Sequence, residues 1–389
     1  MQKVSVVIPC YGPPEDVERC IAALAIQWKR EDITVIMVDD CSPYGGYDDL
    51  IKKYGDKIEI KLIRNEKNLG QGLSRQAGID MVETDIFVMS DEDDVYQPLA
   101  LSQLVGVYES HYIEINPDGT VVLDDNGEPK RRENVPEVAV VSGALFEWDD
   151  YHTKIIPSHS TVWINGKLYN KKFLEKHNVR FNEASSHKSE DYYWSSCLYY
   201  ALDNDPEYTG IILSDDNPLY LWYPRETSRS RIDKHYGFAL SPNTTLSSCH
   251  VLDFIKECKT VKWTEEVERQ YKGRVLNMTC YSYYTFMSYI RHVVTTDFEP
   301  EEKYWDMLKD ACNNLRERTK EFWCEYFYEQ KQDELYRVRN MTDCQITPAW
   351  VEFDDYVIKG MEELSWDYSD LIKSKEEYTF NDDGVLIKK

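Results

Sequence analysis

A run of acidic residues follows directly on a short apolar segment in IFVMSDEDDVY, residues 86–96. Residues 86–89 have the side chains of a buried strand, and the acidic run begins where that strand should emerge from a sheet. Ligands of open α/β sheets bind at the carboxyl ends of the strands. Carboxylates such as Asp91, Asp93 and Asp94 repel one another unless a cation neutralises them, and oxygen ligands suit Mg²⁺ or Mn²⁺. The run therefore predicts a metal site for a phosphate-bearing substrate, with a solvated helix-capping turn as the alternative.

Polar residues also follow two other apolar segments. Asp40 comes after a predicted strand and could accept a hydrogen bond from a base N–H or a ribose hydroxyl. It could instead be an N-cap or turn residue before Ser42 and Pro43. The loop at 68–72 leads into a helix that contains Arg75, and helix-start amides with an arginine are natural partners of a diphosphate. Arg75 could equally lie on the helix surface.

The elements that must position these residues alternate regularly over the first hundred positions. We predict strands at Val4–Ile8, Ile33–Val38, Ile58–Ile63 and Ile86–Met89, and helices at Asp16–Trp28, Asp48–Tyr54 and Gly70–Met81. This βαβαβαβ order predicts an α/β fold with a doubly wound, mostly parallel, Rossmann-like sheet. Its strand ends would gather the polar residues at one edge.

The pattern changes after the fourth strand. Residues 108–140 contain the turn signals Pro-Asp-Gly and Asp-Asn-Gly on either side of Thr120–Leu123, which predicts a surface β-hairpin insertion. Val138–Phe146 should return to the sheet as a strand. We expect a first domain at 1–245 that contains this insertion.

The remaining sequence, 246–389, predicts a mainly α-helical C-terminal domain. Amphipathic segments rich in Tyr, Trp, Glu and Lys occur at Glu265–Val293 and Tyr304–Gln332. Aromatic residues at helical spacing usually form a core, so this domain does not by itself indicate a ligand.

Composition limits the classes of function. The 389 residues are 42% hydrophobic, enough for a substantial core and two domains. A net charge of −25 disfavours a sequence-independent grip on nucleic acid, although a local basic patch would permit one. The ten cysteines include no CxxC pair and no zinc-type quartet, which is typical of free thiols in a reducing cytoplasm. Without a signal-peptide pattern or a long apolar run, we expect a cytoplasmic protein with no membrane span.

Four segments together resemble the family 2 glycosyltransferases, which have a nucleotide-sugar-binding fold of the GT-A type. VSVVIPCYG is similar to the family's opening strand and turn, and VDDCSP to its VDDGS motif with Cys41 in place of Gly. NLGQGLSRQAGI resembles the Asn-x-Gly…Arg-Asn-x-Gly-Ile segment with Gln76 in place of Asn. FVMSDEDDVY resembles the strand that ends in Asp-x-Asp-Asp. The resemblance covers roughly residues 1–235.

The resemblance implies a donor site. The residues that would line the pocket for the nucleotide base, ribose and diphosphate are Pro9, Tyr11, Asp40, Asn68 and Arg75. Asp91 and Asp93, with Asp94, would contact the ribose and coordinate Mn²⁺ or Mg²⁺, while Glu92 between them would point away. The metal would bridge the two phosphates and stabilise the leaving nucleoside diphosphate.

A later segment resembles the family's acceptor side. Trp163, Lys167-Leu168-Tyr169 and Arg180-Phe181 match positions that precede an acidic pair, here Glu190-Asp191. The resemblance makes Asp191 the general base, which takes the proton from the acceptor hydroxyl in an inverting transfer, and places Glu190 in the nucleotide-sugar pocket. The alternative is that both residues only open the following helix, where acidic side chains favour the positive end of the dipole.

The segment LYLWYPRETSRSR resembles the family's Tyr-x-Tyr-Arg…Ser-x-Ser tail, a loop near the diphosphate. Arg225 and Arg231 are its matching basic residues, and Thr227 stands where the family often has His. His235 nearby is either a further metal ligand or a structural histidine. A basic segment of this kind suits a loop that closes over a diphosphate.

The sequence therefore predicts a metal-dependent, inverting glycosyltransferase that moves a sugar from a nucleotide sugar, with UDP as the expected nucleotide, to a hydroxyl of a glycan or glycoconjugate. A glycosyltransferase for hydroxylated bases in DNA is one alternative, which the net charge disfavours. A nucleotidyltransferase should have a Gly-rich loop with Arg and Lys where Tyr11–Pro14 stand. A non-catalytic scaffold is disfavoured by the retained carboxylates.

Overall fold

A computed structural model describes the chain at 2–148, 153–161, 163–183, 189–223, 236–271, 273, 302–319, 369, 373, 376–381 and 386–389. The chain divides into two compact units. The first comprises residues up to 226 together with 258–261, and the second comprises 227–257 and everything from 262 onward. Within the described ranges, no helix is both long and apolar enough to cross a membrane.

The first unit alternates strands and helices along the chain. Its first nine elements are β1 (Val4–Cys10), α1 (Pro14–Ala25), β2 (Ile33–Asp39), α2 (Tyr47–Tyr54), β3 (Glu59–Arg64), α3 (Gln71–Asp80), β4 (Ile86–Met89), β5 (Val95–Tyr96) and α4 (Ala100–Ser110). After an insertion follow β6 (Glu137–Ser142), β7 (Leu145–Trp148), β8 (Thr153–Ile156), β9 (Lys167–Asn170), α5 (Lys171–His177), α6 (Glu190–Asp203), β10 (Tyr208–Ile212) and β11 (Tyr220–Trp222). The strands predicted in the first hundred residues are confirmed.

Seven strands form the central sheet in the order β10-β6-β9-β4-β1-β2-β3. β1 pairs in parallel with β2 and β4, and β2 with β3, which confirms the predicted parallel core. β9 runs antiparallel between β4 and β6, so the sheet is mixed. Every residue of β1 and β4 is buried, as their continuous apolar sequences predict for strands covered on both faces.

Helix α3 lies close against β1 and β2 because Gly78 has no side chain. A Cβ added at this position would lie 2.5 Å from Cγ1 of Val7 and 3.2 Å from Cγ2 of Val38. This close approach brings the preceding turn of α3, with Arg75, over the carboxyl ends of the strands. The glycine of the NLGQGLSRQAGI segment is therefore a packing requirement.

The segment Val138–Phe146 returns to the central sheet, as expected, but it forms two strands and not one. β6 belongs to the central sheet, whereas β7 belongs to a smaller sheet with the order β5-β11-β7-β8. The chain changes sheets at Gly143, where an added Cβ would lie 2.8 Å from Cδ1 of Leu219. This smaller sheet places β11 beside the acidic turn that joins β4 to β5.

The insertion after α4 is not a regular hairpin. Both predicted turns are present, and Gly119 and Gly127 in them have φ values of 85° and 81°, which only glycine adopts easily. Isolated antiparallel bridges join Ile113 to Arg131, Ile115 to Val121 and Leu123 to Pro129. Three short extended pieces thus pair with one another in turn.

The described part of the second unit is mainly helical, as expected. Its helices Tyr236–Glu257 and Glu302–Thr319 pack against each other, and Arg318 binds the Asp253 carboxylate through Nη2 at 2.7 Å. A short antiparallel pair, Tyr378–Phe380 with Leu386–Lys388, is also present. Of the two long helices expected here, positions 274–293 and 320–332 lie outside the described residues.

We expect Gly78→Ala to lower the free energy of unfolding by about 1–3 kcal/mol, because the new methyl group overpacks the interface with Val7 and Val38. Gly106→Ala in α4 is the matched control, since a Cβ there meets no atom within 4 Å. That change should be neutral or stabilising by about 0.5–1 kcal/mol. Urea unfolding followed by circular dichroism measures both, and equal stabilities would contradict the close contact of α3.

Candidate active site

The guanidinium of Arg75 lies at the centre of the site, with 1% of its side chain exposed. Its Nη2 donates to Oδ1 of Asp91 at 2.7 Å, and its Nη1 donates to Oε1 of Glu190 and Oδ1 of Asp191, both at 3.0 Å. The ring of Phe181 lies 6.0 Å from its Cζ. One cation therefore holds the start of α6 against the turn that follows β4.

The charges around Arg75 decide its ionisation. Burial alone would lower the pKa of the guanidinium, but the three carboxylates outweigh burial and raise it above its ordinary value. Removing one partner of a buried ion pair leaves an uncompensated charge and costs several kcal/mol, whereas an exposed pair contributes little. Arg75 was predicted to bind a diphosphate, and the structure shows both of its Nη groups bound to carboxylates.

The carboxylate of Asp91 is held on both oxygens. Besides the bond from Arg75, Oδ1 accepts Nε2 of Gln71 at 3.0 Å and Oδ2 accepts Nδ2 of Asn165 at 3.0 Å. The backbone N–H of Asp91 donates to the hydroxyl of Tyr220 at 2.9 Å. Asp91 therefore has one fixed orientation at the end of β4.

Asn165 is a site residue that sequence reasoning missed. It lies in the loop before β9, and only the position of β9 beside β4 brings its side chain to Asp91. Its Oδ1 is buried and has no hydrogen-bond partner among the described residues. No local signal marks this asparagine, although it stands two positions after Trp163, which the family resemblance did identify.

Glu92, which we expect to point away from the donor, contacts the turn after β1. Its carboxylate accepts the backbone N–H of Tyr11 at 2.7 Å and that of Gly12 at 2.9 Å. Tyr11, which the resemblance assigns to the nucleotide pocket, is 48% exposed. The acidic turn and the turn after β1 are thereby joined.

Asp94 is buried against β11. Its Oδ2 accepts the hydroxyl of Tyr220 at 3.0 Å and its Oδ1 accepts the backbone N–H of Tyr223 at 2.9 Å. Burial, followed by the charges of Asp91 and Asp93, raises the pKa of Asp94 well above its ordinary value. Within the described part of the chain, no group of three or more His, Cys, Asp or Glu side chains is arranged to hold a metal ion.

Asp40 is buried and holds the loop between β3 and α3. Its Oδ1 accepts Nδ2 of Asn65 at 2.9 Å and the N–H of Leu69 at 2.8 Å, and its Oδ2 accepts the N–H of Gly70 at 2.9 Å. The turn role considered for Asp40 belongs to its neighbour Asp39, whose Oδ1 accepts the N–H of Ser42 at 2.8 Å.

The other predicted donor residues are distributed along the same edge. Pro9 lies in β1 opposite Val38, and Asn68 is exposed in the loop that Asp40 holds. Arg225, Arg231 and His235 lie outside the described residues.

Asp191 has the ionisation of a base that works near neutral pH. Burial raises its pKa to about 8, helped by the charges of Glu190 and Asp91 and opposed by those of Arg75 and Lys167. Even so, 32% of the Asp191 side chain is exposed to solvent. Its place in the first turn of α6 also suits the helix dipole, as the alternative interpretation of this residue predicts.

The segment that resembles the family's acceptor side contains a buried lysine and one ring of a tryptophan pair. Burial lowers the pKa of Lys167 to about 7, and its Nζ donates to the carbonyl of Ser160 at 2.6 Å and to the hydroxyl of Tyr199 at 2.9 Å. The rings of Trp163 and Trp222 lie 5.2 Å apart at an angle of 55°. The half-buried indoles give this side of the site an aromatic surface.

Known proteins share both the sequence pattern and the fold. Residues 5–177 match the family model described as Glycosyl transferase family 2. The poly(ribitol-phosphate) beta-N-acetylglucosaminyltransferase TarP of Staphylococcus aureus (strain N315) is 25% identical over 222 residues, 55% of this chain and 64% of that protein. The succinoglycan biosynthesis protein ExoW of Rhizobium meliloti (strain 1021) is 32% identical over 112 residues, 28% of this chain and 34% of that protein. The chain spans less than two thirds of the length of these curated relatives.

A solved structure gives the same architecture. The crystal structure of S. aureus TarS 1–349 in complex with UDP-GlcNAc has a TM-score of 0.57 at 17% identity, covering 87% of this chain and 91% of that one. This likeness confirms the GT-A-like fold that the sequence motifs predicted.

We expect Arg75→Met to lower the free energy of unfolding by about 3–5 kcal/mol at pH 8, because three carboxylates lose their shared cation. The matched control is Arg180→Met, whose pair with Asp80 is about half exposed and should contribute at most about 1 kcal/mol. Urea unfolding at pH 8 and pH 5 measures both. The loss of stability in Arg75→Met should be smaller at pH 5, because Asp191, whose pKa is about 8, is then protonated and no longer repels Glu190 and Asp91. Equal losses in the two variants would contradict the bridging role of Arg75.

Proposed function

Since residues 5–177 belong to glycosyl transferase family 2, we propose that this protein transfers a sugar from a UDP-sugar to a hydroxyl group of a glycan or glycoconjugate. One observation carries the proposal: Arg75 binds Asp91 and Asp191 at the same time. The guanidinium of Arg75 thus binds both the carboxylate proposed for the donor side, Asp91, and the carboxylate proposed as the base, Asp191. TarS, which has the same fold, was crystallised in complex with UDP-GlcNAc, which supports UDP as the nucleotide and GlcNAc as the first sugar to test.

The donor would lie across the carboxyl ends of β1, β2 and β4. The exposed ring of Tyr11 would face the base, and the buried Pro9 would support the turn that carries this ring. Asp40 would act mainly through the loop that it holds, which carries Asn68. Arg225 and Arg231 are proposed to contact the diphosphate, a role that the ion pairs of Arg75 leave unfilled. Arg75 instead neutralises and positions the carboxylates around it.

A divalent cation, Mn²⁺ or Mg²⁺, would be held by Asp91 and Asp93, with His235 as a further candidate. The residues fit such an ion because they offer oxygen atoms from one turn, where neighbouring negative charges already raise the pKa of Asp94. Asp94 is better assigned to positioning, since it is almost completely buried and its oxygens bind β11 and the residue after it. Asp91 is partly exposed, and the single hydrogen bond from Asn165 to its Oδ2 leaves a second lone pair of that oxygen for a cation. When bound, the cation stabilises the charge that develops on the leaving diphosphate.

Asp191 would act as the general base. As the acceptor oxygen forms its bond to the anomeric carbon, the bond from that carbon to the phosphate oxygen breaks on the opposite face. The acceptor proton passes to the carboxylate of Asp191, and the nucleoside diphosphate leaves with the electron pair. Attack from the face opposite the leaving group inverts the anomeric configuration.

We expect Asp191→Asn to lower kcat for transfer by at least about 100-fold, because an amide cannot accept the proton. UDP affinity should change by less than about threefold, since Asp191 faces the acceptor. Release of UDP from UDP-GlcNAc with Mn²⁺, and calorimetric titration of UDP, measure the two effects. Asp203→Asn, at the other end of α6, is the matched control and should retain activity.

The donor class is tested in the same assay. UDP-, GDP-, CDP- and dTDP-sugars are compared with Mn²⁺ and with EDTA, using water and a panel of glycans as acceptors. A preference for UDP-sugars that requires the metal is expected. A wild-type protein that binds and cleaves none of them would refute the proposed function, and full activity in Asp191→Asn would refute the base assignment.

The pH profile should follow the ionisation of Asp191. We expect kcat/KM to rise with pH and to level off above about 8, because the unprotonated carboxylate is the active form and its pKa is about 8. Glu190→Gln removes a charge that raises this pKa, so its ascending limb should move to lower pH. Initial rates of UDP release from pH 5.5 to 9.5 measure both profiles. A limb that stays at the same pH in Glu190→Gln would indicate that another group titrates.

A further inference from the structure

The backbone of Tyr11 and Gly12 is fixed by side chains from three separate elements. Both N–H groups donate to the carboxylate of Glu92, as described above. The carbonyl of Tyr11 accepts the hydroxyl of Ser42 at 3.0 Å, and the carbonyl of Gly12 accepts that of Tyr47 at 2.5 Å. All four backbone polar groups of this dipeptide are therefore bound to side chains.

Glycine at position 12 allows the carboxylate to come this close. An added Cβ would lie 2.7 Å from Oε1 of Glu92, closer than unbonded atoms can pack. Hydrogen bonds to an ionised group are roughly twice as strong as neutral ones, so Glu92 should dominate the hold on the turn. Tyr47, which binds from the other side, is completely buried and cannot move easily.

The fixed backbone contrasts with the exposed ring of Tyr11. Almost half of this side chain faces solvent, while its own N–H and C=O groups are immobilised. Because this backbone is already fixed, a flat ligand that packs on the ring causes little further loss of backbone freedom. Glu92 also lies between Asp91 and Asp93, the residues proposed for the metal and the diphosphate. The acidic turn after β4 therefore contacts the backbone that carries Tyr11 and also contributes to the proposed diphosphate end of the site.

We propose that Glu92 is a positioning residue for the nucleotide base, which holds the turn after β1 so that the ring of Tyr11 forms one wall of the uridine pocket. This inference rests on the proposed function and concerns the same site. Glu92 acts here through the backbone of Tyr11 and Gly12, without itself touching the reacting atoms. Loss of Glu92 should weaken nucleotide binding while leaving the transfer step nearly intact.

The test compares Glu92→Gln and Glu92→Ala with Glu31→Gln, a matched control that removes an exposed glutamate between α1 and β2. UDP is titrated calorimetrically, once in EDTA and once with Mn²⁺. We expect the alanine variant to lose about tenfold in affinity under both conditions, because two charge-assisted hydrogen bonds are lost. The glutamine variant should lose less, since its carbonyl oxygen can still accept one N–H, and Glu31→Gln should bind like wild type.

A kinetic readout separates positioning from chemistry. The KM for the UDP-sugar should rise with the dissociation constant, while kcat at saturating donor should stay within about threefold of wild type. The amide protons of Tyr11 and Gly12 should also move upfield in the nuclear magnetic resonance spectrum when the carboxylate is absent.

Each other outcome overturns the proposal. Equal UDP affinity in wild type and Glu92→Ala would show that the turn does not depend on Glu92, and a loss confined to Mn²⁺ would place Glu92 in the metal site. A wild-type protein that binds no nucleotide would refute the proposed function as well, so the two failures are distinguishable. If the Glu92 variants do not fold, Gly12→Ala displaces the carboxylate without removing its charge and should cause the same loss in EDTA; unchanged affinity there also overturns the proposal.

Discussion

The buried guanidinium of Arg75 is the charge on which the rest of the site depends. Burying a cation is unfavourable unless carboxylates surround it, and the carboxylates of Asp91, Glu190 and Asp191 would repel one another without a cation between them. The buried cation and the three carboxylates therefore stabilise one another. Because these groups come from α3, the turn after β4 and the start of α6, the site can assemble only when the three elements pack together.

The same charges tune the chemistry that we propose. Asp191 keeps a raised pKa because burial and neighbouring carboxylates outweigh the cations near it. It is therefore a stronger base than an exposed aspartate, yet it still titrates near neutral pH. Arg75 limits that rise and holds the carboxylate in place. Charge balance around one arginine thus links the donor side of the site to the acceptor side.

The acidic residues at the strand ends divide into two groups by what they bind. Asp40 and Glu92 accept backbone N–H groups of the loops that contain Gly70 and Gly12, so they fix the backbone around the proposed nucleotide pocket. Asp91 and Asp93 belong to the turn proposed to meet the metal and the diphosphate. A strongly acidic sequence therefore serves this fold in part by fixing its own loops, through hydrogen bonds that the ionised oxygens strengthen.

The sequence by itself determined the parallel strands β1 to β4 and their helices, because apolar runs, glycines and strand-end carboxylates are local signals. It also singled out Arg75, Asp91 and Asp191, whose motifs it could match to a family. Only the tertiary structure decided that Arg75 binds carboxylates 16, 115 and 116 residues away along the chain, that Asn165 reaches Asp91 and that Glu92 binds the turn after β1. Local periodicity fixes which side chains face the core, whereas the meeting of distant polar groups depends on how strands pair and helices pack. No local sequence pattern predicts that β9 pairs antiparallel with β4. The contact between Asn165 and Asp91 depends on this pairing, and the sequence alone therefore did not reveal it.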